Sequence, residues 1–420
     1  MAHKNLQLAK AAKIDEFYTQ YQDIQKEIEK YIDYNPNVFR EKVVYCNCDD
    51  PFESNFFKYF ANKFKSYGIK KLITTSYAGS PIVQTQLQLP GIGEFSNKKE
   101  LPEQKNKKAF RIEINGVSDL TKDGITNLND VKWLLEHDNN VSKVLQSDGK
   151  YPAGDFRSKE CVELLKQADI VVTNPPFSLF REYIKQLVDY DKKFLIIGNM
   201  NAITYKEVFP LLKESKVWLG NNYKVNAGAM FFEIPEGIAN LDQVREIRTN
   251  KTGNKVYVTR VQGVRWFTNL DHGRRHQPLP LMTEAEVIKF VTKKPFEKYD
   301  NYDAIEVSLV KNIPSDYNGI MGVPVSILDK YSPEQFEILG ATQRGCHNDV
   351  PDIKKYDDYW EVRQNGQKTG SSGGKTNENA NLVGNDCKKN YFINKEGRII
   401  QSAYQRIFIR HKKKTIWKHF

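Results

Sequence analysis

The sequence predicts an α/β fold in which a mostly parallel sheet carries helices on both faces and a basic region follows it. Three observations support this prediction. Short β-branched or aromatic runs alternate with helical patterns over the first 240 residues, and the alternation fades beyond them. The net charge is +2 for residues 1–240 and +9 for residues 241–420. Strands that alternate with helices form mostly parallel sheets, which bind ligands at the carboxyl ends of their strands.

Length and composition limit the possible classes of protein. A chain of 420 residues with 40% hydrophobic residues can form two or three domains with real cores. No apolar run approaches the roughly 18 to 20 residues of a membrane helix, and the amino-terminal residues lack the apolar block of a signal peptide. We therefore expect a cytoplasmic protein without a membrane segment. The five cysteines are too scattered for a disulfide scaffold or a zinc site, so no metal is predicted.

The amino-terminal elements can be assigned in order. Residues 1–40 have helical spacing and form a helical segment that is interrupted near "DEFYT". The stretch "EKVVYCNCDDPFESNFFKYFANKFKSYGIKKLITTSYAG" then reads as an apolar run, a turn, a helical pattern and a second apolar run. This order predicts a β-α-β unit.

Further strands and helices follow up to residue 240. The predicted strands are "FRIEI", "ADIVVTNPPF", "KKFLIIGNMNAI", "SKVWLGNN" and "AMFFEIP", and the predicted helices are "SKECVELLKQ", "SLFREYIKQLVDY" and "YKEVFPLLKE". Beyond them, "NKVYVTRVQGVRWFTN" suggests a hairpin, and "NGQKTGSSGGKTNENANLVGND" a polar loop. We predict a domain boundary between Glu236 and Arg245, which separates residues 1–240 from residues 241–420.

The stretch "ADIVVTNPPFSLFREY" contains the main chemical signal. Pro175 and Pro176 lack backbone donors and fix two φ angles, so the strand must end before them. Asn174 therefore lies at the carboxyl end of a buried strand, where ligand sites are expected. The prolines leave backbone carbonyls with little local hydrogen bonding, and Phe177 adds a flat apolar face.

Neutral acceptors beside an aromatic ring suit a planar exocyclic amine. The lone pair of such an amine, for example adenine N6, is delocalised and poorly nucleophilic. Acceptors on its hydrogens favour pyramidal geometry and stabilise the positive charge that develops when the nitrogen attacks carbon. A base in DNA must first be flipped out of its duplex to reach such a site.

The wider sequence resembles a known family. "TNPPF" after "ADIVV" is similar to the catalytic motif of amino-methyltransferases. "VVYCNCDDP", "GDFRSKEC", "KKFLIIGNMNAITYKE", "WFTNLDHGRRHQPLPLMT" and "DYNGIMGVPVSILDKYSPEQFEILGAT" resemble the EcoRI-type adenine-specific DNA methyltransferases. The likeness runs from Asp15 to Ala341 and resumes at "YQRIFIR". It implies a class I methyltransferase (Rossmann-like) sheet with S-adenosylmethionine as the methyl donor.

The resemblance also implies a set of donor-binding residues. "DEFYT" is similar to the motif that wraps the donor's methionine end, and the acidic residue of "GDF" matches the position that accepts from the donor's adenine amine. "CNCDDP" stands in place of the usual glycine-rich turn, whose glycines are missing. The implied donor-binding residues are Phe17, Tyr18, Thr19, Cys48, Asp49, Asp50, Ser54, Asn55, Asp155 and Phe156. Helix packing of "DEFYT" and helix capping by an acid of "CNCDDP" remain open alternatives.

Basic residues in the carboxyl-terminal part suggest contacts with phosphates. The last fifteen residues hold six Lys or Arg and no acid, and "DHGRRHQP" places two arginines together. The candidate DNA-binding residues are Arg265, Arg274, Arg275, Lys412, Lys413 and Lys414. A solvated surface without a partner is the alternative. "GSSGGKT" has the wrong spacing for a phosphate loop, and in "PDIKKYDDYWEVR" Arg363 replaces the lysine of a nuclease pattern.

Together these observations predict a monomeric DNA methyltransferase that acts on adenine N6 in double-stranded DNA. Its site would consist of Asn174, Pro175, Pro176 and Phe177, and residues 241–420 would recognise the target. The resemblance implies the modification role of a type II restriction-modification system, in which a separate restriction endonuclease is a further partner. The alternatives are a protein-glutamine or RNA methyltransferase, or a DNA-binding protein with an inactive methyltransferase domain.

Overall fold

The computed structural model describes most of the chain in two compact units. The described residues are 18–48, 54–77, 109–116, 133, 142–221, 229–234, 244–249, 255–342, 353–372, 379–384, 390–402 and 405–412. The first unit comprises Met1–Ala202 and Leu219–Gly273, and the second comprises Ile203–Trp218 and Arg274–Phe420. Residues 241–273 thus cluster with the first unit. The functional division at residue 240 stays a prediction.

The first unit contains four helices and two sheets among the described residues. Its helices are α1 (Tyr21–Tyr34), α2 (Asn55–Tyr67), α3 (Lys159–Gln167) and α4 (Phe180–Asp189). Its strands are β1 (Tyr18–Thr19), β2 (Val43–Cys46), β3 (Lys71–Thr75), β4 (Phe110–Ile114), β5 (Ser142–Val144), β6 (Ile170–Thr173), β7 (Lys193–Asn199), β8 (Trp218–Leu219, of which only Leu219 is assigned to this unit), β9 (Ala229–Ile234), β10 (Val244–Thr249), β11 (Lys255–Gln262) and β12 (Val264–Thr268).

The main sheet has eight strands in the order β5-β4-β3-β2-β6-β7-β12-β8. Its centre, β3-β2-β6-β7, is parallel, while β4, β5 and β12 run antiparallel to their neighbours. The predicted α/β class and the predicted β-α-β unit are confirmed. The chain leaves β2 for β3 on one side and later returns to β6 on the other side. The strand order therefore reverses between β2 and β6, which is where open sheets of this kind bind ligands.

Helices cover both faces of this sheet. Successive side chains along a strand point to opposite faces, so each face contributes side chains that pack against helices. Trp266 of β12 packs against Phe56 of α2 with ring centroids 5.9 Å apart. The next residue, Phe267, points to the opposite face and packs against Phe180 of α4 at 5.1 Å. The core on the α1 and α2 side includes Ile24, Ile28, Val44, Phe60, Leu72, Val172, Leu195 and Ile197.

The hairpin predicted at "NKVYVTRVQGVRWFTN" is wrong. The two strands of this stretch, β11 and β12, belong to different sheets: β12 pairs with β7, and β11 pairs with β9 and β10. Gly263 connects them with a φ of 73°, a left-handed conformation that glycine adopts without strain. The second sheet of the unit has the order β1-β9-β11-β10.

The second unit contains two five-stranded sheets among its described residues. Its helices are α5 (Phe209–Lys213) and α6 (Glu284–Val287), and its strands are β13 (Glu297–Lys298), β14 (Ala304–Glu306), β15 (Ile320–Pro324), β16 (Phe336–Ala341), β17 (Trp360–Val362), β18 (Lys368–Ser372), β19 (Asn381–Val383), β20 (Tyr391–Ile393), β21 (Ile399–Ser402) and β22 (Arg406–His411). The sheet orders are β13-β14-β15-β22-β16 and β18-β17-β20-β21-β19. Over the described part of both units, no helix has the length and apolar character to cross a membrane.

Candidate active site

The Asn-Pro-Pro-Phe turn begins where the central strand β6 ends. Asn174 follows the fully buried Thr173 and is itself half-buried, while Pro175 is buried. The carbonyl of Pro176 accepts a hydrogen bond from the amide of Leu179 at 3.0 Å, which starts a short 3-10 helix. The carbonyl of Pro175 accepts no hydrogen bond from the part of the chain that the structure describes. The turn thus leaves that acceptor available beside Asn174.

Phe177 is the first residue of the 3-10 helix and is only partly buried. One part of its ring packs against the core on the α1 and α2 side of the sheet. The rest remains accessible to solvent. A ring held on one side by the core is suited to stacking with a planar group on the other.

The carboxyl end of β2 lies beside this turn. The hydroxyl of Thr173 donates to the carbonyl of Asn47, which joins the ends of the neighbouring strands β2 and β6. The side chain of Asn47 is 2% exposed, and its Oδ1 accepts from the hydroxyl of Tyr183. Cys48 then adopts a φ of 59°, the left-handed conformation for which glycine is usually chosen. The turn therefore has a glycine-like backbone although it lacks the family's glycines.

Asn47 and Tyr183 are residues that sequence reasoning missed. Asn47 stands inside the quoted "CNCDDP" motif, but attention fell on the cysteine and the acids that follow it. Tyr183 lies on α4, beyond the Asn-Pro-Pro-Phe turn, where its pattern indicates only a core position. Burial raises the pKa of Tyr183 well above its ordinary value, so its hydroxyl remains protonated and donates to Asn47. The only signal in the sequence for Asn47 is that a polar residue directly follows a buried strand.

Asp155 is held by an arginine two positions later. Its Oδ1 accepts from the backbone amide and the Nε of Arg157, and its Oδ2 accepts from Nη2, each at 2.9 Å. Arg157 also donates to Glu182 of α4 at 2.8 Å. Hydrogen bonding to Asp155 is the main reason that the pKa of Arg157 is raised. The carboxylate of Asp155 is 6% exposed, and it retains lone pairs for a further donor.

Phe156 is packed against the same tyrosine that contacts Asn47. Its ring meets the ring of Tyr183 edge-on, with centroids 4.9 Å apart. Its carbonyl accepts from Nε2 of Gln186 at 3.1 Å, and its side chain is 3% exposed. The structure therefore brings "CNC", "GDF" and α4 together around Tyr183.

Thr19 and Asn55, both predicted to bind the donor, are in contact. Nδ2 of Asn55 donates to the carbonyl of Thr19 at 2.8 Å, which fixes β1 to the start of α2. Thr19 is 3% exposed, and its Oγ1 has no hydrogen-bond partner among the described residues. Ser54 instead caps α2, because its hydroxyl accepts from the amides of Phe56 and Phe57 at 3.1 and 3.3 Å.

Two other residues that were predicted to bind the donor can be placed only in part, and three cannot be placed. Tyr18 pairs through its backbone with Glu233 of β9. Cys48 is half-buried. Phe17, Asp49 and Asp50 lie outside the described residues.

The predicted DNA-binding residues are distributed over both units. Arg265 lies in β12 of the first unit, half-buried, and donates to the carbonyl of Val264 at 3.0 Å. In the second unit, Arg274 donates to the carbonyl of Asp329, and the guanidinium of Arg275 stacks over Trp218 at 3.7 Å. Lys412 is exposed. Lys413 and Lys414 lie outside the described residues.

The known proteins that are similar to this chain are named as methyltransferases. Residues 5–412 match the family described as "Adenine-specific methyltransferase EcoRI". The chain is 43% identical over 341 residues to Type II methyltransferase M.EcoRI of Escherichia coli, an alignment that covers 80% of this chain and 89% of the relative. It is 33% identical over 362 residues to Type II methyltransferase M.MpnI of Mycoplasma pneumoniae, which covers 82% and 93%. No solved structure matches the chain significantly.

Proposed function

The chain belongs to the EcoRI family of adenine-specific methyltransferases, and on that premise we propose that it methylates N6 of an adenine flipped out of duplex DNA. The observation that carries the proposal is the Asn-Pro-Pro-Phe turn at the carboxyl end of β6, beside the point where the strand order reverses. The relatives are named type II methyltransferases, and we extend the modification role of a type II restriction-modification system to this chain.

The turn can activate a poorly nucleophilic amine without a general base. The Asn174 side-chain oxygen and the Pro175 carbonyl would each accept a hydrogen bond from one N–H of adenine N6. These hydrogen bonds make the nitrogen pyramidal and more nucleophilic. The same acceptors stabilise the positive charge on the nitrogen as its bond to carbon forms. Phe177 would stack on the flipped base, and the N6 proton would leave to solvent after transfer.

The described residues fit S-adenosylmethionine, which supplies a methyl group on a positively charged sulfur. The Oγ1 of Thr19 is buried and has no hydrogen-bond partner in the described residues, so a ligand group there would satisfy it. The residues that would hold this molecule are Thr19, Asn55, Asp155 and Phe156, together with the left-handed turn at Cys48. Phe17, Tyr18, Asp49 and Asp50 remain part of the proposal on the family resemblance, whereas Ser54 would act through capping α2.

Positive charge supports duplex DNA as the substrate. Residues 241–420 carry a net charge of +9, and neutralised phosphates supply much of the affinity of DNA-binding proteins. We propose that this region, with Arg265, Arg274, Arg275 and the lysines at 412–414, contributes the DNA contacts. A cytoplasmic location, a monomeric state and a separate cognate endonuclease remain predictions.

Methyl transfer by the purified protein tests the proposal. With radiolabelled S-adenosylmethionine, we expect label on duplex DNA and none on RNA or protein, and digestion of the product should give N6-methyl-2′-deoxyadenosine. Sequencing of plasmid DNA from expressing cells would locate the methylated adenine and so define the recognition site. Label on RNA or protein alone would contradict the proposal. Absence of donor binding with and without DNA would indicate an inactive methyltransferase domain.

Asn174→Ala tests the assignment of the amine acceptor. Loss of one acceptor for the developing charge should lower the rate of transfer by about 100-fold or more. Affinity for the donor and for DNA should change little, because the variant removes no phosphate contact. Ser178→Ala is the matched control, since Ser178 is exposed on the same 3-10 helix. Full activity of Asn174→Ala would refute the assignment.

A further inference from the structure

The first unit carries a basic two-stranded ribbon at one edge of its second sheet. β10 pairs antiparallel with β11 and with no other strand of the described chain. This β10–β11 ribbon, residues 244–249 and 255–262, contains four Lys or Arg and one Glu, a net charge of +3. An edge strand presents unpaired backbone groups, and here it presents them together with cations. The ribbon is therefore a candidate contact surface for a polyanion.

The ribbon's sheet begins at the edge of the main sheet that holds the Asn-Pro-Pro-Phe turn. β11 continues through Gly263 into β12, whose first residue, Val264, pairs with Asn199 at the carboxyl end of β7. β7 extends three residues beyond the partner of Thr173, the last residue of β6. The junction at Gly263 thus lies two strands from β6 and about 10 Å past its end. Asn174 directly follows β6, so this junction is close to the proposed amine acceptor.

The opposite edge of the same sheet carries a residue proposed to bind the methyl donor. Thr19 of β1 pairs with Phe232 of β9, and Asn55 at the start of α2 donates to the Thr19 carbonyl. Because α2 follows β2, this contact also lies at the carboxyl end of the parallel strands. In the order β1-β9-β11-β10, the outer strand of the ribbon is three strand spacings from Thr19, about 14 Å. Both anchors belong to one unit, so the ribbon lies next to the site proposed for methyl transfer.

The outer strand of the ribbon is exposed on both of its faces. Residues 245–249 of β10 are all exposed, although their side chains alternate between the two faces. Ile247 is 55% exposed. The inner part of the sheet differs, because Phe232 of β9 is fully buried and its partner Thr259 of β11 is 6% exposed. The inner strands therefore anchor the ribbon, while β10 extends into solvent.

Cations lie on both faces of the ribbon. By the register of the two strands, Lys255 shares the face of Ile247, whereas Arg248 and Arg260 point to the opposite face. Lys255 and Arg260 are exposed, and Arg248 forms an exposed ion pair with Glu246 at 2.8 Å. Exposed ion pairs contribute little stability, so a phosphate can replace the carboxylate. Positive charge on both faces suits a groove with phosphates along each wall better than a flat anionic surface.

We propose that the β10–β11 ribbon enters the major groove of the DNA substrate beside the flipped adenine, with Lys255 and Arg248 on phosphates of opposite walls. This inference rests on the proposed function. The major groove is about 12 Å wide and admits a two-stranded β-ribbon, whereas the minor groove is only about 6 Å wide. Several DNA-binding proteins read a groove with strands in this way. A second copy of the chain could pair along β10 instead, but two ribbons of charge +3 repel each other.

The salt dependence of DNA binding tests the charges, with a duplex that contains the sequence methylated in plasmid DNA. Arg248→Gln with Lys255→Gln removes one cation from each face, so the slope of log affinity against log salt should fall by about two. Lys42→Gln with Lys70→Gln is the matched control. It removes the same charge at exposed positions before β2 and β3, at the amino ends of the parallel strands, and should keep the wild-type slope. Equal slopes for the ribbon variant and the wild type would overturn the proposal.

Photocrosslinking tests the groove. 5-Iodouracil in place of thymine carries its reactive atom where the thymine methyl group lies, in the major groove, and leaves the phosphates and the minor groove unchanged. One duplex carries it opposite the target adenine, and others carry it at each neighbouring thymine in turn. After irradiation, mass spectrometry should identify crosslinked peptides from residues 244–262. If no crosslinked peptide contains ribbon residues, the proposal is wrong.

Further measurements separate the ribbon's role from other causes. Calorimetry should show that Arg248→Gln with Lys255→Gln keeps the donor affinity of the wild type within about twofold, because both side chains are exposed and distant from Thr19. A loss of donor affinity equal to the loss of DNA affinity would overturn the proposal. A wild-type dimer that Ile247→Asp converts to a monomer would also overturn it, since a second copy would then occupy β10. If the wild-type protein neither binds nor methylates duplex DNA, the proposed function itself has failed.

Discussion

Tyr183 connects three segments of the candidate site through one hydroxyl and one ring. The hydroxyl donates to Asn47 at the end of β2, and the ring packs edge-on against Phe156 beside Asp155. The residue itself belongs to α4, the helix that follows the Asn-Pro-Pro-Phe turn. Because it touches loops that would hold the donor, but no proposed reacting atom, Tyr183 is a positioning residue.

Tyr183→Phe should therefore weaken donor binding more than it slows the chemical step. The change keeps the ring contact with Phe156 but leaves the Oδ1 of Asn47 buried without its donor, which costs about 1 to 3 kcal/mol. We expect KM for S-adenosylmethionine to rise about tenfold, with kcat changed much less, as steady-state kinetics at saturating DNA would show. Tyr190→Phe, at the end of the same helix and 37% exposed, is the control. A fall in kcat alone would contradict the positioning role.

At the scale of elements, the loop before α3 depends on one close approach of two backbones. Gly154 has a φ of 79°, and a Cβ atom placed there would lie 1.9 Å from the carbonyl oxygen of Ser76. Ser76 follows β3 directly, so this contact holds Asp155 and Phe156 against the carboxyl end of the parallel strands. Only glycine meets both requirements, the left-handed φ and the missing Cβ.

Gly154→Ala should displace this loop and lower donor affinity. Because the obstructing atom belongs to the backbone, it cannot move as a side chain could, and we expect donor affinity measured by calorimetry to fall about tenfold or more. Gly149→Ala is a matched control: its φ is 85°, but a Cβ there meets nothing within 4 Å. In that control, only the strain of a left-handed φ for alanine remains, which costs about 1 kcal/mol in the free energy of unfolding. Equal effects of the two substitutions would show that the contact with Ser76 is unimportant.

The sequence predicts those helices and strands that are determined by residues close to one another in the chain. The unit of β2, α2 and β3 is evident because apolar periodicity and the Ser54 cap lie within one short stretch. The pairing of β12 with β7 is not evident, because it joins residues some 70 positions apart and depends on the turn at Gly263. The site follows the same rule. The position of Asn174 at the end of a buried strand could be predicted from its neighbours, whereas the contacts of Asn47 with Thr173 and Tyr183 arise only on folding.

At the scale of the whole molecule, the second unit contains a buried ion pair of its own. Arg406 of β22 donates to Glu306 of β14 through Nε and Nη2, at 2.8 and 2.5 Å, and Tyr299 donates to the same carboxylate. The two charged side chains are only 10% and 9% exposed. Burial, followed by the nearby Glu306, raises the pKa of Tyr299, so its hydroxyl stays protonated and donates. This cluster joins strands that are 100 residues apart in the sequence.

Arg406→Met should impair DNA binding, which is predicted for the carboxyl-terminal part of the chain, and should spare donor binding, which is predicted for the amino-terminal part. It leaves Glu306 buried without its cation, which costs about 3 to 5 kcal/mol, and Arg406→Met with Glu306→Gln should recover part of this loss. Arg410→Met is the control on the same strand. It breaks an exposed pair with Glu337 and should cost less than about 1 kcal/mol. If target recognition belongs to the carboxyl-terminal part, Arg406→Met should weaken DNA binding and lower the unfolding temperature, while calorimetry should show donor affinity within about threefold of the wild type. An equal loss of donor affinity would mean that the two functions do not divide along the chain as predicted.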